Sequence, residues 1–117
     1  MIKEIAFVFY PVTDMARARD FYEKMLGLQP GEIVTERWME YEIAGGTFAI
    51  TNVMEDSEPA NSLALETDDL DAEVARLKGA GVSFKNDIFE SPVCRMAVIE
   101  DPDGNGICLH QRKAASA

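Results

Sequence analysis

Apolar and polar positions alternate along this chain in a pattern that changes period several times. The longest apolar run, 5–12, is aromatic and β-branched, reads as a strand and ends at Thr13-Asp14. Asp14 is a natural N-cap. Behind it Ala18, Phe21, Tyr22, Met25 and Leu26 recur at helical spacing, and Gly27 stands at the C-cap position. The runs 32–35 and 38–44 alternate instead, with Met39, Tyr41 and Ile43 on one face of the second and Trp38, Glu40 and Glu42 on the other. Gly45-Gly46 supplies a tight-turn dipeptide, and 47–52 sets Phe48 and Ile50 against Thr47, Ala49 and Thr51, which completes a hairpin. This stretch reads β-α-β-β-β.

After a polar segment, 53–60, the order repeats. Residues 62–67 form a short strand, Asp69 caps a helix marked by Leu70, Val74 and Leu77, and Gly79 or Gly81 ends it. Strands follow over 82–88 and 95–100, then a turn cluster over 101–106 and a closing strand over 107–111. Asp14 and Asp69 are 55 positions apart and Gly27 and Gly81 are 54 apart, the spacing expected of an internal duplication. The expected organisation is a single domain, 1–117, made of module 1 (1–54) and module 2 (60–113).

Composition narrows the functional classes. The chain has 117 residues, long enough to bury a core without staples, and its 11 basic against 21 acidic residues give a net charge of −10. No Lys or Arg occurs between Trp38 and Ala75, and that window holds the excess acid. Such a field disfavours nucleic acid and anionic membranes as partners and attracts cations. The eight-residue apolar run is far short of the roughly 20 residues of a membrane span. No leader-like segment is evident and Cys94 and Cys108 have no zinc-type spacing, so the expectation is a cytoplasmic protein with reduced thiols. The 101–106 cluster lacks the later Glu of a calcium loop and reads as a hairpin turn.

Several motifs together resemble one family. Val12-Thr13-Asp14, Phe21-Tyr22, Leu26-Gly27-Leu28, the run from Leu65 to Asp71, Gly79-Ala80-Gly81-Val82 and Asp101-Pro102-Asp103-Gly104-Asn105 are similar to motifs of the vicinal oxygen chelate superfamily. That superfamily includes glyoxalase I, bleomycin-resistance proteins, extradiol dioxygenases and fosfomycin-resistance enzymes. The resemblance implies an α+β fold of two tandem βαβββ modules, forming curved mixed sheets around a cavity and often completed across a homodimer. Its metal-dependent members hold a divalent cation on four side chains, and those positions correspond here to Phe7, Ala49, Ser62 and Cys108. Phe7 and Ala49 cannot ligate, and one thiol with a neutral serine is not a metal site. The expectation is therefore no metal and no other cofactor. Isomerisation, ring cleavage and thiol transfer, which the resemblance ties to the metal, lose support, and binding or sequestration of a small molecule is favoured.

Period-2 alternation names the side chains sharing a face with those four positions: Phe9 with Phe7, Thr51 with Ala49, Glu66 with Ser62 and His110 with Cys108, with Trp38 and Glu40 joining them. One reading is an aromatic pocket with carboxylates, suited to a flat or cationic ligand. The other is a closed cavity in which Phe7 and Phe9 are core, in a chain that only associates with other chains. His110 is either a partly exposed strand residue or the partner of Cys108 and of Glu66 or Glu40 in an improvised metal site or thiolate–imidazolium couple. Cys108 otherwise reads as a small buried residue, and Arg95 as the counter-ion of Glu66 or Glu40. The rival to simple binding is an enzyme of the same superfamily, lyase, isomerase or dioxygenase-like, using these groups for acid–base or non-standard metal chemistry.

Overall fold

A computed structural model describes residues 1–54 and 56–113. Glu55, one of the acidic residues of the polar segment, lies outside the described residues. The chain divides into two units, with the boundary after Ala60.

In the first unit, β1 (Val8–Pro11) pairs in parallel with β4 (Gly46–Thr51), and β4 pairs antiparallel with β3 (Trp38–Ile43), which pairs in turn with β2 (Pro30–Val34). The sheet order is β1-β4-β3-β2. β1 begins later than the apolar run. The register Val8↔Phe48 would set residue 5 beyond Gly46, the first residue of β4, where no strand remains to pair with it, and Ile5 is exposed. The hairpin turn also differs from expectation. Its central residues are Ala44 and Gly45, both with positive φ (48° and 89°), as a two-residue primed turn requires, and Gly46 already pairs with Ile43.

The helix after β1 starts as the sequence indicates: the Arg17 amide donates to Asp14 Oδ1 at 3.1 Å, and α1 spans Met15–Arg19. It then widens into a π-helical segment, Asp20–Met25, rather than continuing as one regular α-helix. The Leu26 amide reaches back five residues to Phe21 O and the Leu28 amide six to Tyr22 O, and Gly27 (φ 75°) turns the chain out. Ala18, Phe21 and Tyr22 are buried, while Met25 and Leu26 are half-buried because the wider turn displaces the end of the stripe. Tyr10, Tyr22, Tyr41 and Phe48 pack ring against ring in this core, which also takes in Met39 and Ile50.

The second unit repeats the plan. β5 (Leu63–Glu66) pairs in parallel with β8 (Gly106–Arg112), followed by β7 (Cys94–Glu100) and β6 (Phe84–Glu90), in the order β5-β8-β7-β6. α2 (Leu70–Gly79) is capped by Asp69, whose Oδ1 accepts from the Ala72 amide at 3.0 Å. Gly81, with φ 83°, is the glycine that ends it, and the Val82 amide closes back on Leu77 O. That bond holds residue 82 at the helix end, so β6 starts two residues later than the alternation suggested. Leu70, Val74 and Leu77 of α2 are buried together with Ala97, Ile99, Ile107 and Leu109 of the sheet. Asp101 Oδ1 gathers the Asp103 and Asn105 amides into the expected β7–β8 turn. Among the described residues no helix is long and apolar enough to cross a membrane.

Both units are thus four-stranded mixed sheets of βαβββ type, each carrying its helical segment on one face.

Candidate functional site

Each sheet commits alternate residues to its helix and leaves the others on the opposite face. In the first unit that face carries Phe9 opposite Ala49, Ala49 opposite Glu40, and Thr51 opposite Trp38. Phe7, just before β1, adds a third ring. Its centroid is 5.0 Å from that of Trp38 with the rings edge-on, and Phe9 lies 6.1 Å from Trp38 and 6.4 Å from Phe7. Phe7 is 43% exposed, whereas Phe9 and Trp38 are half-buried. These rings are not the closed core: that role belongs to the tyrosines and Phe48 on the helix side. The Trp38 indole N–H donates to Glu40 Oε2 at 2.8 Å, which fixes the indole plane and holds a carboxylate at its edge.

Beyond Glu40 the face opens into a hollow of about 440 Å³ beside β2, lined also by Glu32, Glu42, Pro30 and Ile33. Ala49 is fully buried beneath the rings, a floor rather than a contact surface. Thr51 is also fully buried: its hydroxyl donates to Arg37 O at 2.6 Å and accepts from the Val53 amide.

In the second unit the corresponding face carries Ala64 and Glu66 of β5, then Cys108, His110 and Arg112 of β8, with Met96 opposite His110 and Val98 opposite Cys108. Ser62 is exposed ahead of β5. Glu66 and His110 are paired in register, and His110 Nδ1 lies 2.6 Å from Glu66 Oε1. Glu66 Oε2 accepts from the Arg112 amide at 2.8 Å. That amide, and after it His110, hold the Glu66 carboxyl below the usual carboxylate range. Ala64, Glu66, His110 and Arg112 line a concavity of about 310 Å³.

Two pairings that the sequence left open are not formed. Cys108 does not couple to His110: its Sγ lies 3.7 Å from Met96 Sδ, and burial pushes the thiol pKa up, away from a thiolate. Arg95 points to the helix side, where it is bidentate to Asp71 and pairs with Glu90, not with Glu66 or Glu40. Arg112 and Met96 were missed by the sequence reading. Extending the alternation from Cys108 and His110 by one step reaches Arg112, whereas Met96 emerges only from the β7–β8 register.

The donor set does not fit a resident metal. Phe7 and Ala49 offer no ligating atom, the Cys108 thiol is held protonated, and among the described residues no three His, Cys, Asp or Glu side chains converge as ligands.

Comparison with known proteins agrees with this architecture. The chain is similar to TnmS3, an antibiotic binding protein from Streptomyces sp. CB03234, at 29% identity and a TM-score of 0.81, over 96% of this chain and 98% of that one. It is also similar to a glyoxalase/bleomycin resistance protein from the same Streptomyces strain, at 32% identity and a TM-score of 0.77, over 92% of this chain and 100% of the other. A superfamily member from Sphaerobacter thermophilus DSM 20745 shares the fold at 24% identity and a TM-score of 0.78, over 94% and 98% of the two chains. None of the curated proteins compared with the chain matches it. The sequence profile of one family matches residues 4–109, nearly the whole chain, which therefore belongs to the Glyoxalase/Bleomycin resistance protein/Dioxygenase superfamily.

Proposed function

We propose that this protein binds a small aromatic, cationic molecule and sequesters it without transforming it. The observation that carries the reading is the partly exposed three-ring cluster of Phe7, Phe9 and Trp38, bounded by Glu40 and opening onto a hollow with Glu32 and Glu42. Aromatic faces attract flat and cationic groups, and nearby carboxylates favour positive charge without chemistry. The description of TnmS3 as antibiotic binding supports the same class of function. In this reading Phe7, Phe9, Trp38 and Glu40 contact the ligand, Ala49 and Thr51 support them, and Ser62, Glu66, Cys108 and His110 form a second contact region. The working form is a homodimer, as the family resemblance implies, and the unbridged Cys94 and Cys108 favour the cytoplasm as its compartment.

Equilibrium dialysis against proflavine, a planar aromatic cation, followed by chromatography of the released compound, tests this. Saturable binding with proflavine recovered unchanged is expected. A product peak, or no saturable binding, would overturn the reading. A product would favour the catalytic alternative, for which the His110–Glu66 pair is the supporting observation.

A further inference from the structure

The register across the two sheets reveals an asymmetry. The row Trp38–Thr51–Pro11 of the first unit occupies the same place in its sheet as Met96–His110–Glu66 in the second. Where the first unit has a fully buried threonine bound to the backbone, the second has an imidazole joined to a carboxylate beside a concavity. Glu66 accepts at Nδ1, which assigns the proton of a neutral His110 to that nitrogen and leaves Nε2 as the basic atom. Among the described residues Nε2 has no hydrogen-bond partner, and neither does the Arg112 guanidinium, which lines the same concavity. The other groups facing the imidazole are Met96 from β7 and, along β8, the protonated Cys108, with Phe89 of β6 next to Met96 in the row. Glu66 and Arg112 are therefore the charged groups of the site.

We infer that His110, Glu66 and Arg112 form a recognition site for an acidic hydroxyl of an aromatic ligand, a phenol or enol. The hydroxyl proton passes to His110 Nε2: the O–H bond breaks, the N–H bond forms, and a phenolate is left against the imidazolium. Glu66 compensates the imidazolium and Arg112 the phenolate, so the proton moves without leaving a net uncompensated charge. The site deepens the small-molecule reading and rests on it, adding a preference for hydroxylated aromatics that the ring cluster of the first unit cannot supply.

The probe is 4-nitrophenol, whose anion is yellow and whose neutral form is not, used below the pH at which it ionises in water. 4-Nitroanisole, which lacks the hydroxyl, is the control. Wild-type protein is expected to bind 4-nitrophenol at least tenfold more tightly than 4-nitroanisole and to turn it yellow. His110→Gln should abolish the colour and weaken 4-nitrophenol binding at least tenfold, Arg112→Gln should weaken the colour, and both variants should keep the circular dichroism spectrum of the wild type. Failure of the wild type to bind 4-nitrophenol, colourless binding, or an unchanged His110→Gln would overturn the inference. Loss of proflavine binding by the wild type would instead overturn the sequestration reading, so the two failures are distinguishable.

Discussion

Glu23 shows how much one carboxylate organises here. Its Oε2 accepts from Arg19 Nε at 2.7 Å and from the hydroxyl of the fully buried Tyr41 at 2.9 Å. Removing the acceptor strands a buried hydroxyl, so Glu23→Ala should cost about 1–3 kcal/mol, and Glu23→Gln, which can still accept, distinctly less. The Arg19 contact holds the Glu23 pKa below its ordinary value. A depressed carboxylate pKa means that the folded state favours the ion. Its stabilising contribution is complete above the unfolded value of about 4.3 and is lost as pH falls through the folded one. Tyr41 runs the other way: burial raises its pKa, so its contribution is present below about pH 10 and is lost above it. Denaturant unfolding of wild type and Glu23→Gln across the acid range checks this, and the variant should lose less stability on acidification.

At the scale of elements, the helix ends are the sharpest test. Gly81 has a positive φ that an L side chain resists, whereas Gly79 sits inside α2 with open space around an added Cβ. Thermal unfolding should show Gly81→Ala destabilised by about 1 kcal/mol and Gly79→Ala neutral or stabilised by a similar amount. The two glycines were indistinguishable in the sequence because both follow the apolar stripe at a permitted distance. Caps such as Asp14 and Asp69 were legible because capping is local: the side chain bonds an amide three residues on. The π-helical turn after Arg19 was not legible, since the same residues satisfy α-helical spacing and only packing selects the wider turn. Alternation alone gave the faces within β3 and β4; the grouping of Phe9 with Ala49 rested on the family correspondence of Phe7 and Ala49, and the register sets Phe9 opposite Ala49 and Ala49 opposite Glu40. What alternation could not give were partners distant in sequence. Asp71 for Arg95 and Glu66 for His110 depend on which strands and helices neighbour each other: the sequence offered only Glu66 or Glu40 for Arg95, and Glu66 as one of several alternatives for His110.

Across the whole molecule the dominant physical fact is the net charge of −10, concentrated in a base-free window that contains Glu40 and Glu42. A cationic ligand approaching the ring cluster therefore meets an attractive field that salt screens over about 8–10 Å at ordinary ionic strength. Proflavine affinity should fall as sodium chloride is raised from low concentration towards 1 M, while the affinity of a neutral planar aromatic should hold steady; calorimetric titrations at several salt concentrations compare them. Equal salt responses would mean that charge contributes nothing and that stacking alone selects the ligand.

The most direct test uses Trp38, the chain's single tryptophan, as its own reporter. Its ring touches Phe7 and its N–H is held by Glu40, so a ligand stacking on the cluster must change its fluorescence. Titrating proflavine into wild type and Phe7→Ala should give saturable quenching in the first and an affinity about tenfold weaker in the second, the loss of roughly 1.4 kcal/mol of ring contact. Phe7 is partly exposed, so its removal leaves the buried core in place. Unsaturable quenching of the wild type, or equal affinities for the two proteins, would contradict the claim that this aromatic face binds the ligand.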